Sequence, residues 1–281
     1  MNGPVTATGA SPEGGTRMSI YLSRGILLYC GALACVLGAV FGSFLNCAAW
    51  RIAHGESFLR GRSHCPTCGH ALGARDLVPV LSWAFQRGRC RYCGEKISVR
   101  YPLTELAFAL LTLLCLLRFD LTVLCLRNWI FLCCLFCLSL VDLESYTIPD
   151  GCLLTALGAW LAALPFLRPG LRDIGLALFA GLCFGGGILL LSLVMDRLLG
   201  RESLGGGDVK LFAVVGLYLG FAGGLFAMLF SCVLGLLFAF AQNREGERGK
   251  AIPFGPSISL AAAAMLLWGE GLIHWYLGLL M

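Results

Sequence analysis

The sequence predicts an all-α polytopic membrane protein of about eight transmembrane helices, with a small cytosolic zinc-binding domain inserted between the first and second helices. Three observations predict this fold. Apolar residues make up 58% of the 281 residues and charged residues only 13%, a composition typical of membrane proteins. Several stretches approach the roughly 20 apolar residues that a helix needs to cross the hydrocarbon core. Residues 51–100 form the only polar segment large enough for a small domain.

The chain divides into four predicted segments. Residues 1–24, rich in Gly, Ser, Thr and Pro, are expected to form a flexible tail, and residues 25–50 the first transmembrane helix. Residues 51–100 are expected to form the cytosolic zinc-binding domain, and residues 101–281 the transmembrane core. The first apolar stretch is longer than the apolar region of a signal peptide and lacks a cleavage site, so we interpret it as a retained span.

The core supplies the remaining spans. Residues 174–195 carry no charge. Residues 211–243, also uncharged, are long enough for two spans that turn near residues 220–224. Shorter or less apolar candidates complete the count of eight: 102–117, 121–141, 151–167 and 255–268.

Basic residues are concentrated on one side of this topology. The 51–100 segment holds nine Lys and Arg against three acidic residues, so the positive-inside rule places it in the cytosol. With eight spans, the loops near 142–150, 196–210 and 243–253 fall on the same side, which brings fifteen of the 21 basic residues inside. Both termini are then expected to face outward.

Two aspartates beside predicted spans are the candidate catalytic residues. Asp142 ends the third span as it reaches the cytosol and Asp208 begins the sixth span as it leaves, so both are expected at one depth although 66 positions separate them. Acids beside hydrocarbon usually face a bundle interior or a water-filled cavity. Gly205, Gly206 and Gly207 precede Asp208 and remove side-chain bulk, which lets a substrate strand or a partner helix approach.

Paired carboxylates of this kind suit an aspartyl protease. Two carboxylates held close cannot both ionise easily, so one keeps its proton. The ionised member takes a proton from water, and the water attacks a peptide carbonyl. The protonated member stabilises the oxyanion and protonates the leaving amine, and because the pair titrates together neither acid is assigned as the base. The alternative is that each Asp only ends or caps a helix, and Asp208 stands where an N-cap would.

Three further acids near spans receive structural interpretations. Asp150 follows Pro149 and is expected to cap the fourth span, and Glu144 is expected to be a solvated loop charge. Glu105 lies a few residues inside the second span. A buried hydrogen bond or salt bridge is expected for Glu105, with contact to the substrate as the alternative.

Four of the 15 cysteines form a candidate metal site. Cys65 and Cys68 form one C-x-x-C pair and Cys90 and Cys93 another, with 21 residues between the pairs. This spacing is close to that of tetrathiolate zinc sites, and a cytosolic location argues against disulfides. A site with four thiolates leaves no open position for water, so the zinc is expected to be structural.

Alternatives to this zinc site remain open. A redox-active dithiol pair is one, and His64 or His70 could replace a ligand. The other eleven cysteines lie in or beside apolar runs, where free cysteine behaves as a small hydrophobic residue.

Six motifs follow one another along the chain: Gly42-Ser43-Phe44-Leu45-Asn46, the two C-x-x-C pairs, residues 97–106, Asp142 with Ile148-Pro149-Asp150, Gly205-Gly206-Gly207-Asp208-Val209-Lys210 and Ile252-Pro253-Phe254-Gly255-Pro256. In this order they resemble the bacterial type IV prepilin peptidases, which are membrane aspartyl proteases of the G-x-G-D kind. The resemblance covers roughly residues 25–270. One departure is that the family often has a Pro soon after the arginine matching Arg51, where this chain has Ile52-Ala53-His54-Gly55.

The resemblance implies that Asp142 and Asp208 are the catalytic acids, with Gly205, Gly207, Lys210 and Glu105 in supporting positions. It implies cleavage of prepilins or pseudopilins of type IV pili, type II secretion or competence systems, at the cytosolic face of the bacterial inner membrane. It also implies possible N-methylation of the new amino terminus with S-adenosylmethionine, through a loop similar to residues 51–100. The expected partners are these substrates and the lipid bilayer, without nucleic acid.

Two other classes of protein fit parts of the pattern. Paired membrane acids also relay protons or bind cations in transporters, although the inverted repeats of many transporters are not visible here. A zinc-anchored membrane scaffold without catalysis is the second, and in it both acids would be caps.

Overall fold

The computed structural model describes residues 24–57, 61, 63–200, 205–244 and 253–280. Its eight α-helices are α1 (Arg24–Ala53), α2 (Leu81–Phe85), α3 (Arg100–Phe119), α4 (Val123–Ser145), α5 (Asp150–Leu167), α6 (Leu171–Leu199), α7 (Gly206–Arg244) and α8 (Gly255–Leu280). Within these residues there is no β-strand, only two isolated β-bridges. The expected tail, residues 1–24, lies outside the described residues except for Arg24.

The predicted fold class is confirmed, because the chain is an all-α multi-pass membrane protein. In the described part of the chain, seven helices are long and apolar enough to cross a membrane, which leaves out only the short α2. Their large apolar side chains point outward over much of the surface, as lipid-facing residues do. The polar segment between α1 and α3 carries the four clustered cysteines.

Helix α7 is interrupted at Gly220, whose φ of +68° and ψ of −174° are not helical. Gly216 and Gly224 both pack against the ring of Phe184 on α6. Residues eight apart in a straight helix lie about 12 Å apart along its axis, so one ring could not touch both without a bend. The expected turn near residues 220–224 is therefore present, and it divides the longest apolar run into two helices.

Helix α4 lies at the centre of the bundle and contacts α1, α3, α5 and α8. Its buried face packs with the first half of α7 and with α8, and this core includes Phe131, Leu135, Leu211, Val215 and Ile258. Close packing of these side chains fixes the position of the last turn of α4. That turn carries Asp142.

Candidate active site and metal site

Asp142 lies in the last turn of α4, and only 5% of its surface is exposed. The helix continues to Ser145 and ends because Tyr146 adopts the left-handed conformation, with φ of +54°. The Asp142 Oδ2 atom accepts a hydrogen bond from the backbone N–H of Gly255 at 2.8 Å. A buried carboxylate is thus held by a donor from another helix.

Gly255 is the first residue of α8, and its N–H is one of the helix-terminal donors that have no partner within their own helix. A helix amino terminus also carries partial positive charge, which favours a carboxylate there. A Cβ atom at Gly255 would lie 2.7 Å from the Asp142 Oδ2 atom. The close approach of α8 to this acid therefore requires glycine.

Asp208 is the third residue of α7 and is half-buried. Its N–H donates to the carbonyl of Gly205 at 3.0 Å, and its carboxylate lies against that glycine. The residue before Asp208 packs against the loop that follows Asp142. The structure therefore brings the two acids to one end of the bundle, on the adjoining ends of α4 and α7.

The glycines before Asp208 pack against the loop that follows Asp142. A Cβ atom at Gly207 would lie 2.8 Å from the Ile148 Cβ atom, whereas one at Gly206 would meet nothing within 4 Å. Of these two glycines, only Gly207 makes a contact so close that the position requires glycine. Gly205 lies at the start of the turn that leads into α7.

Two ion pairs surround the acids and correct two expectations. Lys210 Nζ contacts the Asp150 carboxylate at 2.7 Å, so Asp150 pairs across to α7; the N-cap position of α5 is Pro149. Glu144 is exposed, as expected, but it belongs to α4 and not to a loop, and it pairs with Arg100 at 2.9 Å. The reason is that α4 continues for three residues past Asp142, which carries Glu144 towards the start of α3.

Glu105 forms the buried hydrogen bond that was expected. Its exposure is 7%, and its Oε2 atom accepts the N–H of Val80 at 2.7 Å. Val80 has a φ of +61°, which is unfavourable for a β-branched residue. Glu105 thus fastens the polar domain, at the start of α2, to the membrane helix α3.

The four predicted cysteine ligands lie together. The sulfur atoms of Cys65, Cys68, Cys90 and Cys93 are all within 4.8 Å of one another. The Cys65–Cys93 sulfur distance is 3.9 Å, close to the edge of about 3.8 Å that follows from a tetrahedron with Zn–S bonds of about 2.3 Å. In the described residues no His belongs to this cluster. The donor set and its geometry fit one tetrahedral metal ion.

The two C-x-x-C turns share one hydrogen-bonding pattern. The backbone N–H groups of Cys65 and Cys90 donate to the backbone carbonyls of His70 and Glu95. The N–H groups of Gly69 and Gly94 donate in turn to the carbonyls of Cys65 and Cys90. The backbone N–H of Cys68 points at the Cys65 thiol and, with that of Thr67, lowers the pKa of Cys65 to about 6 although burial opposes this shift. A thiol that ionises readily is a competent metal ligand.

Asp76 organises the polar domain, and sequence reasoning missed it. Its carboxylate, of which 4% is exposed, accepts hydrogen bonds from Gly73 N–H, Gln86 and Tyr92 at 3.1 to 3.2 Å and pairs with Arg91 at 3.4 Å. The bond from the Tyr92 hydroxyl raises the pKa of that tyrosine. No motif marks Asp76, because its partners are spread along the domain.

A cavity of about 430 Å³ lies between the polar domain, the end of α1 and the start of α3. Aromatic and polar side chains line it, among them Trp50, Trp83, Glu95, Tyr101 and Glu105. Its volume falls in the range of small-molecule sites. Sequence reasoning pointed to this segment but not to a cavity at its junction with the membrane helices.

Comparisons with known proteins agree with this geometry. Residues 36–119 match the Bacterial Peptidase A24 N-terminal domain, and residues 129–240 match the Type IV leader peptidase family. The chain is 33% identical over 244 residues to a prepilin leader peptidase/N-methyltransferase of Bacillus subtilis, covering 86% of this chain and 96% of that one.

Two further relatives show similar identity. A type 4 prepilin-like proteins leader peptide-processing enzyme of Escherichia coli is 35% identical over 265 residues, covering 83% of this chain and 92% of that one. A prepilin leader peptidase/N-methyltransferase of Myxococcus xanthus is 36% identical over 222 residues, covering 76% and 64%. No solved structure matches the chain significantly.

Proposed function

The chain belongs to the type IV leader peptidase family, and from this premise we propose that it is an aspartyl endopeptidase that removes the leader peptides of prepilins or pseudopilins. We infer that Asp142 and Asp208 are its catalytic acids. One observation carries this assignment: the contact of Gly207 with Ile148 brings Asp208, in the first turn of α7, to the same end of the apolar bundle as Asp142. The names of the relatives support the substrate class.

The proposed chemistry uses the pair as one unit. One carboxylate is ionised and takes a proton from a water molecule, which attacks the scissile carbonyl. The other keeps its proton, donates a hydrogen bond to the oxyanion and then protonates the leaving amine. The Gly255 N–H holds Asp142 in place for this reaction without itself exchanging a proton.

The substrate chemistry suits the depth of these acids. A prepilin carries a basic leader followed by an apolar helix, so its scissile bond lies where the leader leaves the bilayer. Asp142 lies in the last turn of α4 and Asp208 in the first turn of α7, so both lie near the end of a membrane-spanning helix. Entry of the substrate between helices brings the bond to the acids without the apolar segment leaving the membrane.

We propose that this end of the bundle faces the cytosol and that the protein resides in the bacterial cytoplasmic membrane. The polar 51–100 segment, with its nine basic residues, adjoins the same end through the Glu105–Val80 hydrogen bond. An excess of Lys and Arg marks cytosolic segments. The Cys65, Cys68, Cys90 and Cys93 cluster is then in a reducing compartment, where it binds structural zinc.

N-methylation of the new amino terminus is a second proposed activity, favoured by the 430 Å³ cavity beside the metal domain. S-adenosylmethionine, when bound, supplies a sulfonium methyl group to an amine. Trp50, Trp83 and Glu95 line this cavity. Aromatic rings attract a sulfonium cation, and a carboxylate attracts the amine of such a ligand. Relatives named N-methyltransferases support this proposal.

The decisive experiment is cleavage of a prepilin by the purified full-length protein in detergent, with Asp142→Asn and Asp208→Asn compared. Each substitution keeps the side-chain shape and removes the ionisable group, so we expect cleavage to fall by at least about 10²-fold while the helical circular dichroism is unchanged. Asp120→Asn is the matched control and should cleave normally, because Asp120 follows the last residue of α3, at the end of the bundle away from the proposed active site. Normal cleavage by either active-site variant would refute the assignment and favour a transporter or a scaffold.

Methylation is tested separately on a peptide that already carries the free mature amino terminus. We expect labelled methyl transfer from S-adenosylmethionine in the wild type and in Asp142→Asn alike, because the proposed donor cavity lies apart from the acids. Trp83→Ala should lose transfer and retain cleavage. Cleavage by the wild type with no transfer under any condition would remove the second activity and leave the first.

A further inference from the structure

Two cysteines meet at the end of the bundle opposite the proposed active site. Cys115 lies in the last part of α3, which ends at Phe119, and Cys125 is the third residue of α4. Their sulfur atoms are 3.9 Å apart. Only a short turn connects the two helices, so these thiols lie near the tip of a helical hairpin.

Each thiol of the pair also lies beside the backbone of the other cysteine. The Cys115 sulfur is 3.7 Å from the Cys125 carbonyl oxygen, and the Cys125 sulfur is 3.7 Å from the Cys115 carbonyl oxygen. A disulfide needs a sulfur–sulfur distance of about 2.05 Å. Each sulfur would therefore have to move by about 1 Å to close the observed 3.9 Å separation to this bond length.

Metal binding does not explain the pair. In the described parts of the chain, the four cysteines of the polar domain are the one group of three or more potential ligands within reach of a common ion. Cys115 and Cys125 therefore have no third ligand nearby in those parts. Two thiols alone do not form a zinc site.

A second pair of cysteines, between α4 and α5, provides an internal comparison. Cys137 on α4 and Cys152 on α5 pack in one apolar cluster, and they lie in the half of the bundle that holds Asp142. Under the proposed orientation this second pair is near the cytosol, whereas Cys115 and Cys125 are near the outer face. Disulfides persist in oxidising extracytosolic compartments and are rare in the cytosol.

We propose that Cys115 and Cys125 form a disulfide bond in the mature protein, which fastens the outer ends of α3 and α4 together. The inference rests on the proposed orientation and is independent of the proteolytic chemistry. Both cysteines are near the hairpin tip, so they are accessible to an oxidant as the hairpin emerges, before the bundle packs around Cys115.

The reaction requires an extracytosolic disulfide-bearing oxidant. One cysteine, as the thiolate, attacks a sulfur of that disulfide and forms a mixed disulfide, and the oxidant's other sulfur leaves as a thiolate. The second cysteine then attacks the protein sulfur of the mixed disulfide. The Cys115–Cys125 bond forms, and the oxidant leaves as a dithiol with the two electrons and two protons.

Differential alkylation of the full-length protein in cell membranes tests the proposal. The membrane proteins are denatured in the presence of one maleimide, which labels free thiols. Disulfides are then reduced, and the released thiols are labelled with a second maleimide of different mass before peptide mass spectrometry. We expect Cys115 and Cys125 to carry the second label and Cys137 and Cys152 the first. In a host that lacks extracytosolic thiol oxidants, Cys115 and Cys125 should carry the first label.

The outcomes separate this proposal from the orientation and from the protease assignment. First label on Cys115 and Cys125 in an oxidising host overturns the disulfide. Second label on Cys137 and Cys152 instead shows that the opposite end of the bundle faces outward, and also overturns it. The Cys115→Ser/Cys125→Ser variant should cleave prepilin normally, and its thermal midpoint should not respond to reductant, whereas that of the wild type should fall.

Discussion

The backbone N–H of Gly255 donates to the Asp142 carboxylate at 2.8 Å, which joins two residues separated by 113 positions. This bond couples the amino terminus of α8 to the last turn of α4. The carboxylate is held from one side by a rigid helix end, while Asp208 approaches from α7. The geometry of the proposed catalytic pair therefore depends on where α8 begins as well as on the two acids.

Gly255→Ala should impair catalysis more than folding. The new Cβ would lie 2.7 Å from the Asp142 Oδ2 atom, so either the carboxylate or the start of α8 must shift. A shift of about 1 Å at a catalytic group can cost about 10²-fold in rate, and we expect a loss of kcat of that order. The measurement is the initial rate of prepilin cleavage at saturating substrate.

Gly271→Ala is the control on the same helix, because a Cβ there would meet nothing within 4 Å. This variant should cleave at the wild-type rate. Equal rates for both glycine variants would show that the contact between Gly255 and Asp142 does not position the acid.

Gly207→Ala should be defective in prepilin cleavage, whereas Gly206→Ala, a substitution at the adjacent position, should not. A Cβ at Gly207 would lie 2.8 Å from the Ile148 Cβ atom, and one at Gly206 would lie in open space. The clash pushes the start of α7 away from the loop after α4 and so separates Asp208 from Asp142. We expect cleavage to fall at least about tenfold for Gly207→Ala, as misplacement of one catalytic group does.

The comparison of these adjacent variants uses the same cleavage assay, together with thermal unfolding of each protein. A general intolerance of side chains in the glycine run would make both variants defective. That result would contradict the specific role of the Gly207–Ile148 contact.

Glu105→Gln should loosen the polar domain from the membrane core. The Val80 N–H would donate to a neutral amide oxygen instead of a carboxylate, and loss of the charge-assisted bond costs about 1–2 kcal/mol. Val80 is also in an unfavourable backbone conformation that this bond holds. We expect an added protease to cleave the 51–100 segment faster in this variant.

Glu144→Gln serves as the control for Glu105→Gln. Its partner Arg100 is half-exposed, and ion pairs of that kind contribute about 0–1 kcal/mol. The rate of proteolysis in Glu144→Gln should therefore stay near that of the wild type. Equal acceleration in both variants would show that Glu105 does not specifically anchor the domain.

Removal of the metal should unfold the polar domain and leave the membrane helices intact. Four thiolates within 4.8 Å repel one another without a cation, and the segment is too short to be stable through an apolar core alone. A chelator, or Cys65→Ser/Cys68→Ser, should abolish a metal content of about one zinc per chain. Circular dichroism should retain most helical signal, while Cys232→Ser, in the lipid-facing part of α7, should keep its zinc.

Local sequence patterns were sufficient for the membrane fold and for the placement of Asp142 and Asp208 at one end of the bundle. Asp142 and Asp208 each follow or precede an apolar run, so counting spans places them at one depth. The glycines at 220–224 likewise predicted the interruption of α7, since Gly220 adopts a positive φ. These features depend on neighbouring residues only.

Contacts between distant elements could not be predicted in the same way. Gly255 was part of a recognised motif, but its bond to Asp142 depends on how α8 packs against α4. The interpretation of Glu144 as a loop charge was wrong because Tyr146, not a glycine, provides the left-handed residue that ends α4. The partners of Asp76 come from several turns of the polar domain, which no periodic pattern reveals.

Lys210→Met should affect cleavage only slightly, although Lys210 lies two residues after Asp208. Its ammonium group pairs with Asp150 at 2.7 Å, and both side chains are more than half exposed. Exposed pairs of this kind contribute about 0–1 kcal/mol, which corresponds to a change in rate of less than about sixfold. Asp150→Asn should have the same small effect, and the double variant should be no worse than either single one, because the two residues act through one shared contact. A loss of rate comparable to that of Asp208→Asn would show instead that Lys210 contacts the substrate or the reacting carboxylates. Steady-state cleavage kinetics of the three variants distinguish these cases.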